Sequence, residues 1–304
     1  MTPFTFDKLV IFGVGLIGGS LARALRERAG VAPGGRIVGV GRTRASAERA
    51  RELGVVDDVA SLDDDRELAA ALAGADLILL AAPVAQTRPL LERILPFLGE
   101  HTIVTDAGST KSDVVAAARA ALGARAAQFV PGHPIAGRES SGVEAALPDL
   151  YVGRNVVLCP LPENRPADVA RIDALWRVTG ALVSTMSHEQ HDRVFASVSH
   201  LPHLLSFALV ERILSAPDAA LKFSFAAGGF RDFTRIAASS PEMWRDVCLA
   251  NRDALVDELD GYLAVLGQLR TAVLASDGAT LEAVFSRSRE ARTQWQERGG
   301  LAPK

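Results

Sequence analysis

Short apolar runs alternate with stretches of helical spacing along the first part of the chain. Apolar residues recur at helical intervals over Leu16–Arg28, Ala45–Leu53 and Lys111–Leu122. The apolar runs predict strands over Lys8–Phe12, Arg36–Val40, Leu77–Ala81, Thr102–Asp106, Gln128–Val130, Asn155–Cys159 and Leu182–Thr185. The unbroken apolar character of Leu77–Ala81 indicates burial on both faces. The alternation predicts an α/β fold in which helices cross between parallel strands.

The pattern changes after Ser187, where no further strand alternation is found. Helical spacing predicts a helical segment over His188–Leu214, one long helix over Pro241–Leu274 and a last helix over Ala279–Trp295. We therefore divide the chain into an α/β domain, residues 1–186, and an all-α domain, residues 187–304. The high apolar content of the second domain favours an interface with a second subunit.

Composition limits the partners. The formal net charge of -3 gives no basic field for nucleic acid, so we expect no such partner. The N-terminus lacks a signal-peptide pattern, and the apolar run Leu9–Phe12 is too short to span a bilayer. We expect a cytoplasmic protein without membrane contact or an appended regulatory domain. Cys159 and Cys248 are predicted to be free thiols.

A glycine pattern follows the first predicted strand. Gly13, Gly15 and Gly18 stand at the spacing G-x-G-x-x-G, and the helix that follows begins with Leu16 and Ile17. Such glycines permit a tight turn, close approach of a pyrophosphate and close packing of helix on strand. The free N–H groups of the helix N-terminus favour phosphate. The first domain is thus predicted to be a Rossmann-type dinucleotide-binding domain.

The end of the second predicted strand bears on the choice of dinucleotide. An NAD site usually has a carboxylate there, but this strand is followed by Arg42, Thr43 and Arg44. Two guanidinium groups and a hydroxyl suit a 2′-phosphate, so the pattern favours NADP. The alternative is NAD bound without an acidic residue, with both arginines solvated.

Two further strand ends are predicted to border the ligand. Ala82 and Pro83 follow the third strand and would lie near the nicotinamide ribose. Ser109 follows the fourth strand, where it could cap the next helix or contact substrate.

His133 lies in the glycine-flanked stretch Gly132–Gly142, which we interpret as a loop rigidified by Pro134. A general base would fit there. We place His101 on the surface and assign His188 and His191 structural roles, because no set of ligands completes a metal site around them. His203 follows Pro202, which would distort its helix.

Three separated motifs carry a family resemblance. The stretch Gly132–Gly142, the run Ser199–His203 and the run Gly228–Ala237, followed by Ser239–Trp244, resemble the prephenate/arogenate dehydrogenase family of tyrosine biosynthesis. The resemblance extends from Leu9 to about Arg292. It implies oxidative decarboxylation of a cyclohexadienol with NAD(P), in a homodimer that contacts through the helical domain. It does not choose between prephenate and arogenate.

The resemblance also implies roles for particular residues. His133 is expected to accept the hydroxyl proton, and Ser109 to hydrogen-bond His133 or the substrate hydroxyl. Arg235 is expected to anchor a substrate carboxylate, although an ion pair with Asp232 or Glu242 is an alternative. Ser199 and His203 would line the substrate pocket. Trp244 is interpreted as a core residue.

Two other functions remain open from the sequence. One is a β-hydroxyacid or imine-type NADP dehydrogenase, which shares the two-domain plan. That class usually depends on a lysine in a long helix, whereas Lys222 stands in a short alanine-rich stretch. The other is a dinucleotide-sensing protein without turnover.

Overall fold

A computed structural model describes residues 4–28, 31–41, 43–138 and 140–297. It forms two compact units, one ending at Arg252 and the other beginning at Asp253. The division differs from the predicted domain boundary near residue 186, because the first helices of the predicted second domain pack into the first unit. The predicted boundary stays a prediction based on composition.

A six-stranded parallel sheet in the order β3-β2-β1-β4-β5-β6 organises the first unit. This order is that of a doubly wound dinucleotide-binding fold. The strands are β1 (Phe6–Phe12), β2 (Val31–Val40), β3 (Asp58–Ala60), β4 (Leu77–Leu80), β5 (Ile103–Asp106) and β6 (Phe129–Val130). The helices between them are α1 (Leu16–Glu27), α2 (Arg44–Glu52), α3 (Asp65–Leu72), α4 (Thr87–Ile94) and α5 (Ser112–Leu122).

Both faces of this sheet are buried, as the apolar strands predicted. Along β1, Leu9 and Ile11 pack into one core while Val10 and Phe12 pack into the other. This two-residue alternation follows from the pleat of the strand. The missed strand β3 is three residues long and only partly buried, so it carries no apolar run.

A second, three-stranded sheet corrects the predicted loop around His133. Its strands are β7 (Gly132–Pro134), β8 (Asn155–Leu158) and β9 (Leu182–Thr185), with α6 (Pro166–Val178) between the last two. β7 pairs antiparallel with β8, so that His133 faces Val157. The sequence Gly-His-Pro has no strand pattern, and its extended form comes from this long-range pairing. Residues 135–138 and 140–142 lie outside the sheet, as predicted for the loop.

The helical segment begins as predicted and contains an irregularity. α7 (His188–Phe195) continues through a π-helical turn, Ala196–His200, into α8 (Leu201–Leu214). Pro202 is the second residue of α8, which directly follows this π-helical turn, so the helix is irregular beside the proline, as the sequence predicts. Two short helices follow, α9 (Ala219–Ser224) and α10 (Gly228–Thr234).

The predicted single helix over Pro241–Leu274 is wrong. The structure has α11 (Pro241–Ala250) and α12 (Arg252–Leu274), separated at Asn251. Asn251 is buried and its side chain bonds other parts of the first unit, which accounts for the interruption. The last helix, α13 (Gly278–Glu297), belongs with most of α12 to the second unit.

The run His188–Leu214 has a mean hydropathy of 1.3 in its most apolar window. By length and composition alone, it is the one helix within the described residues that could cross a membrane. Core helices of soluble proteins have the same length and composition. Asp192 and His200 lie buried within this run, and both make polar contacts with the rest of the first unit. Such contacts are those of a helix packed in a protein.

We predict that Gly18→Ala destabilises the first unit by about 1–3 kcal/mol, because a methyl group there would overlap neighbouring atoms. A Cβ at Gly18 would meet the Gly13 carbonyl oxygen and the Ile11 side chain. Gly15→Ala is the matched control, since no atom lies within 4 Å of its Cβ position. Urea titration should show a lower midpoint for the first variant alone, and equal midpoints would contradict the packing argument.

Candidate active site

A cleft of about 700 Å³ opens at the carboxyl ends of β1, β2 and β4. Ligands of open α/β sheets bind at this edge. The cleft is lined by Phe12, Gly13, Val14, Gly15, Val40, Gly41, Ser46, Arg49, Leu62, Ala81, Ala82, Pro83, Ala85, Gln86, Leu90, Gly142, Val143, Glu144, Glu242, Arg245 and Asp246. Of the predicted cofactor residues, it therefore includes Gly13, Gly15, Ala82 and Pro83.

The glycine turn leaves open space beside the N-terminus of α1. Gly13 has φ of +95°, and its N–H donates to the Val40 carbonyl at 2.8 Å. Gly15 precedes α1 without a side-chain cap and has open space at its Cβ position. Leu16 and Ile17 form the first turn of α1, whose N–H groups are thus available to an anion. Gly18 packs beneath the turn.

The residues after β2 are placed differently from the prediction. Thr43 uses its side chain to cap α2 through the Ser46 N–H. Arg44 pairs with Glu67 at 2.8 Å and with Glu48 at 3.7 Å, and it does not line the cleft. Arg42 lies outside the described residues. The polar side chains that reach the cleft here are Ser46 and Arg49, one turn further along α2.

Asp106 fixes the end of β5. Its carboxylate accepts the Lys111 ammonium at 2.5 Å, the Gly108 N–H at 2.8 Å and the Gly132 N–H at 3.0 Å. Both Asp106 and Lys111 are almost fully buried. One carboxylate therefore holds the turn that carries Ser109 and the start of the strand that carries His133.

His133 is 8% exposed and packs against Phe195, with ring centroids 5.0 Å apart. Its Nδ1 lies 2.8 Å from Nε2 of His191. Its own Nε2 makes no hydrogen bond within the described chain. This nitrogen is not completely enclosed by protein atoms. Burial lowers the pKa of His133 well below its ordinary value, and the charge environment of His191, Lys111 and His200 adds to this. The imidazole is therefore neutral at pH 7.

Asp192 connects the helical segment to α5. Its carboxylate accepts the backbone N–H groups of Lys111 and Ser112 at 2.8 and 2.7 Å, and it lies 2.8 Å from His191 Nδ1. Burial would raise the pKa of Asp192, but these hydrogen bonds outweigh it and lower the pKa to about 2. Asp192 thus caps α5, and the predicted capping role of Ser109 is wrong because Ser109 lies two residues before the N-cap position.

Ser109 itself is half-buried on this turn. Within the described chain its side chain makes no hydrogen bond to His133, so the expected contact is not formed here. Its backbone interacts with His200, which is buried and bonded through Nδ1 to Asn251 at 3.0 Å. Burial lowers the pKa of His200 to about 4.

The remaining predicted substrate residues meet around His203. Its Nδ1 donates to the Ser199 carbonyl at 2.9 Å, and its ring stacks on Trp244 with centroids 3.6 Å apart. Burial lowers the pKa of His203, the Ser199 carbonyl opposes this, and the charge of Arg235 lowers it further. Arg235 begins a 3₁₀ turn, Arg235–Ala238. The structure thus brings Ser199, His203 and Arg235 together with Trp244.

Comparison with known proteins identifies the family. A family model described as the nucleotide-binding domain of prephenate dehydrogenase matches residues 21–185, and one described as its dimerization domain matches residues 187–287. The chain belongs to the prephenate dehydrogenase family. The family resemblance and the fold class predicted from the sequence are both confirmed.

Individual members of the family resemble the whole chain. A prephenate dehydrogenase of Bacillus subtilis is 38% identical over 94% of this chain and 75% of its own length. The structure of the Aquifex aeolicus prephenate dehydrogenase with hydroxyphenyl propionate and NAD+ has a TM-score of 0.87 and 34% identity, covering 95% of this chain and 98% of that one. The Synechocystis arogenate dehydrogenase structure has a TM-score of 0.77 and 30% identity, covering 95% and 99%.

Sequence reasoning missed several residues of the site. His191 was assigned a structural position, yet its ring contacts His133. The signal was present, because His191 is followed directly by Asp192, and a carboxylate next to an imidazole commonly orients it. Ser46 and Arg49 lie on α2, and the residues at the end of β2 do not indicate which side of this helix faces the cleft. Asn251 carries no local pattern.

The buried neutral histidines predict an acid-sensitive fold. The pKa of each of His133, His191 and His200 is lowered by burial, from 6.5 to about 4 for His200. Below pH 6.5 the unfolded chain therefore binds more protons than the folded one, and stability falls as the pH falls. Each unit of lowered pKa corresponds to about 1.4 kcal/mol.

Urea titrations between pH 7 and 4 should show this loss, and His200→Gln should reduce it. Asp192, whose pKa is lowered from 3.8 to about 2, loses its contribution mainly below pH 4, so most of the loss between pH 6.5 and 5 comes from the histidines. Constant stability between pH 6.5 and 4 would contradict the neutral state of these rings.

Proposed function

We propose that the protein catalyses NAD(P)-dependent oxidative decarboxylation of prephenate, arogenate or both. The observation that carries this is His133: a buried, neutral imidazole with one nitrogen bonded to His191 and the other without a partner among the described residues, in a member of this family. Such a ring is suited to accept a proton from a substrate hydroxyl at neutral pH. The product would be 4-hydroxyphenylpyruvate from prephenate, or tyrosine from arogenate.

The residues of the cleft fit a dinucleotide. Gly13 and Gly15 leave room for the pyrophosphate beside the N-terminus of α1, and Ala82 and Pro83 border the cleft. When bound, the nicotinamide supplies the acceptor for the hydride that leaves the ring carbon bearing the hydroxyl. The solved Aquifex aeolicus relative was crystallised with NAD+.

His133 takes the hydroxyl proton at Nε2. As the hydride leaves, a carbon–oxygen double bond forms at that ring carbon. The ring carboxylate then leaves as carbon dioxide, the electron pair of the broken carbon–carbon bond passes through the ring to the carbonyl oxygen, and this oxygen takes a proton back from His133 to give the aromatic phenol. Arg235 would anchor the side-chain carboxylate through its guanidinium group. Ser199, His203 and Trp244 would form the adjoining wall, and Ser109 would contact the substrate hydroxyl.

Neither alternative function is favoured by an observation. The β-hydroxyacid class would need a lysine in a long helix beyond the first domain, but Lys222 lies in the six-residue α9, is exposed and pairs with Asp218 at 2.7 Å. A dinucleotide-sensing protein would have no use for the buried base. The neutral form of His203 and the half-buried Ser199 do not select between a keto acid and an amino acid side chain.

We expect His133→Asn to lower kcat by roughly 10²–10⁴-fold while retaining dinucleotide binding, because the variant loses the general base. The assay mixes the protein with prephenate or arogenate and NAD or NADP, and follows the absorbance of the reduced nicotinamide. His101→Asn is the control, since His101 is exposed. If no combination yields reduced dinucleotide with the unaltered protein, the proposed function is wrong; retained turnover in His133→Asn would refute the base alone.

For the cofactor we favour NADP. No carboxylate follows β2, and Arg49 and Ser46 reach the cleft from α2. Arg49 pairs with Glu144 at 3.0 Å and Glu52 at 3.1 Å, so a 2′-phosphate would replace exposed carboxylate partners. NAD is the alternative, and a relative binds it.

We predict that Arg49→Gln raises KM for NADP about tenfold or more and leaves KM for NAD nearly unchanged, because a charge-assisted contact contributes about 1.5–3 kcal/mol. Arg51→Gln is the control, because Arg51 pairs with Glu48 and does not line the cleft. Equal changes for both dinucleotides would exclude a contact between Arg49 and the 2′-phosphate.

We also propose a cytoplasmic homodimer. The matched C-terminal region is described as a dimerization domain. Large apolar side chains of the helical part are exposed, among them Leu214, Leu221, Phe225, Leu249, Val273 and Leu274. A second subunit would remove this surface from water.

A further inference from the structure

The proton position on His133 depends on its neighbour. A neutral imidazole has one N–H and one lone pair, and a hydrogen bond at one nitrogen decides which is which. His133 Nδ1 and His191 Nε2 are 2.8 Å apart, so one of them donates and the other accepts. If His133 donates through Nδ1, its Nε2 carries the lone pair and can take a proton. If His133 accepts at Nδ1, its Nε2 already carries the proton.

Asp192, the residue after His191, determines which of the two histidines donates. Its Oδ1 lies 2.8 Å from His191 Nδ1 and also accepts the Lys111 N–H, while Oδ2 accepts the Ser112 N–H. These two amides are at the N-terminus of α5, whose dipole favours an anion. A carboxylate held ionised in this way can only accept a hydrogen bond.

The bond to Asp192 determines the proton position on each imidazole ring. His191 must donate its Nδ1–H to Asp192, and a neutral His191 then has its lone pair on Nε2. That lone pair accepts from His133, which must therefore carry its proton on Nδ1. The lone pair of His133 is left on Nε2, the nitrogen with no partner in the described chain.

We propose that His191 and Asp192 are positioning residues, which hold His133 in the tautomer whose Nε2 is free to accept the substrate proton. This rests on the proposed function, because it assumes that His133 is the base. The His191 side chain has no exposed surface, and its Nε2 is bonded to His133. Once Nε2 is protonated, the imidazolium keeps its Nδ1–H bond to His191, and the positive charge is two hydrogen bonds from the Asp192 carboxylate.

Three titratable groups of the described chain, besides Asp192, lie close to the pair. Lys111 lies near both rings, His200 near His133, and Asp106 near His191. Lys111 is already paired with Asp106. Asp192 is thus the carboxylate that directly bonds the histidine pair.

The first test is made on the unaltered protein, and a variant serves only to assign its signals. Nitrogen-15 NMR of the ring nitrogens distinguishes the two tautomers, with His133 assigned by comparison with His133→Asn. At pH 7 the unaltered protein should show a protonated Nδ1 and an unprotonated Nε2 for His133. A proton on Nε2 at this pH would overturn the proposal. This result does not depend on turnover, so it is independent of the proposed function.

The second test separates positioning from packing. His191→Leu removes the acceptor and should lower kcat roughly 10²-fold or more, with KM for the dinucleotide nearly unchanged. His191→Gln restores an acceptor oxygen and should recover a substantial part of kcat. His188→Leu is the matched control on the same helix, because His188 contacts Ser112 and Glu189 instead of His133.

The outcomes are distinct. A loss in His191→Leu with recovery in His191→Gln, together with the expected tautomer, supports the proposal. Unchanged kcat in His191→Leu, or an equal loss in His188→Leu, overturns it. If His191→Leu fails to fold, the tautomer measurement on the unaltered protein still decides.

Discussion

The buried carboxylate of Asp192 is the interaction on which the site depends. Burying an ionised carboxylate costs several kcal/mol unless donors replace its water. Here they come from the two backbone N–H groups at the start of α5 and the ring of His191. Its own backbone carbonyl accepts from Asn251 at 2.8 Å. One residue therefore ties α7 to the edge of the sheet and to the α11–α12 junction, and it orients the histidine pair at the same time.

A second buried charge makes this arrangement rigid. Asp106 and Lys111 form an ion pair with almost no exposed surface, and Asp106 also binds the N–H groups of Gly108 and Gly132. Removing one partner of such a pair leaves an uncompensated charge, which costs about 3–5 kcal/mol. The turn between β5 and α5 is thus fixed from within by Asp106 and from outside by Asp192. Lys111 near the rings also favours their neutral form, since it lowers the pKa of both His133 and His191.

Much of the fold could be predicted because it depends on patterns of neighbouring residues in the sequence. The strands of the parallel sheet are apolar runs, and the glycine turn has a fixed spacing. β7 was missed because a Gly-His-Pro strand exists only through pairing with β8. The contact between His133 and His191 spans 58 residues and arises from tertiary packing. Arg44 was predicted at the cofactor because of its position after β2, and this stays a prediction; in the structure its guanidinium group pairs with Glu48 and Glu67. Ion-pair partners and helix facing are not legible in a single sequence.

The residues around His133, the proposed base, come from two different parts of the fold, so its orientation depends on how those parts pack together. His133 and Ser109 come from the sheet edge, whereas His191, Asp192, His200 and His203 come from the segment His188–Leu214. Within the described chain, the hydrogen bonds that orient His133 come from this segment alone. A small displacement of the segment would leave His133 in place but remove the acceptor at its Nδ1. Both tautomers would then be populated, and the free lone pair would be lost in part before any strand unfolds. The proposed role of His133 as a base is therefore more sensitive to this helix–sheet contact than the stability of the sheet is.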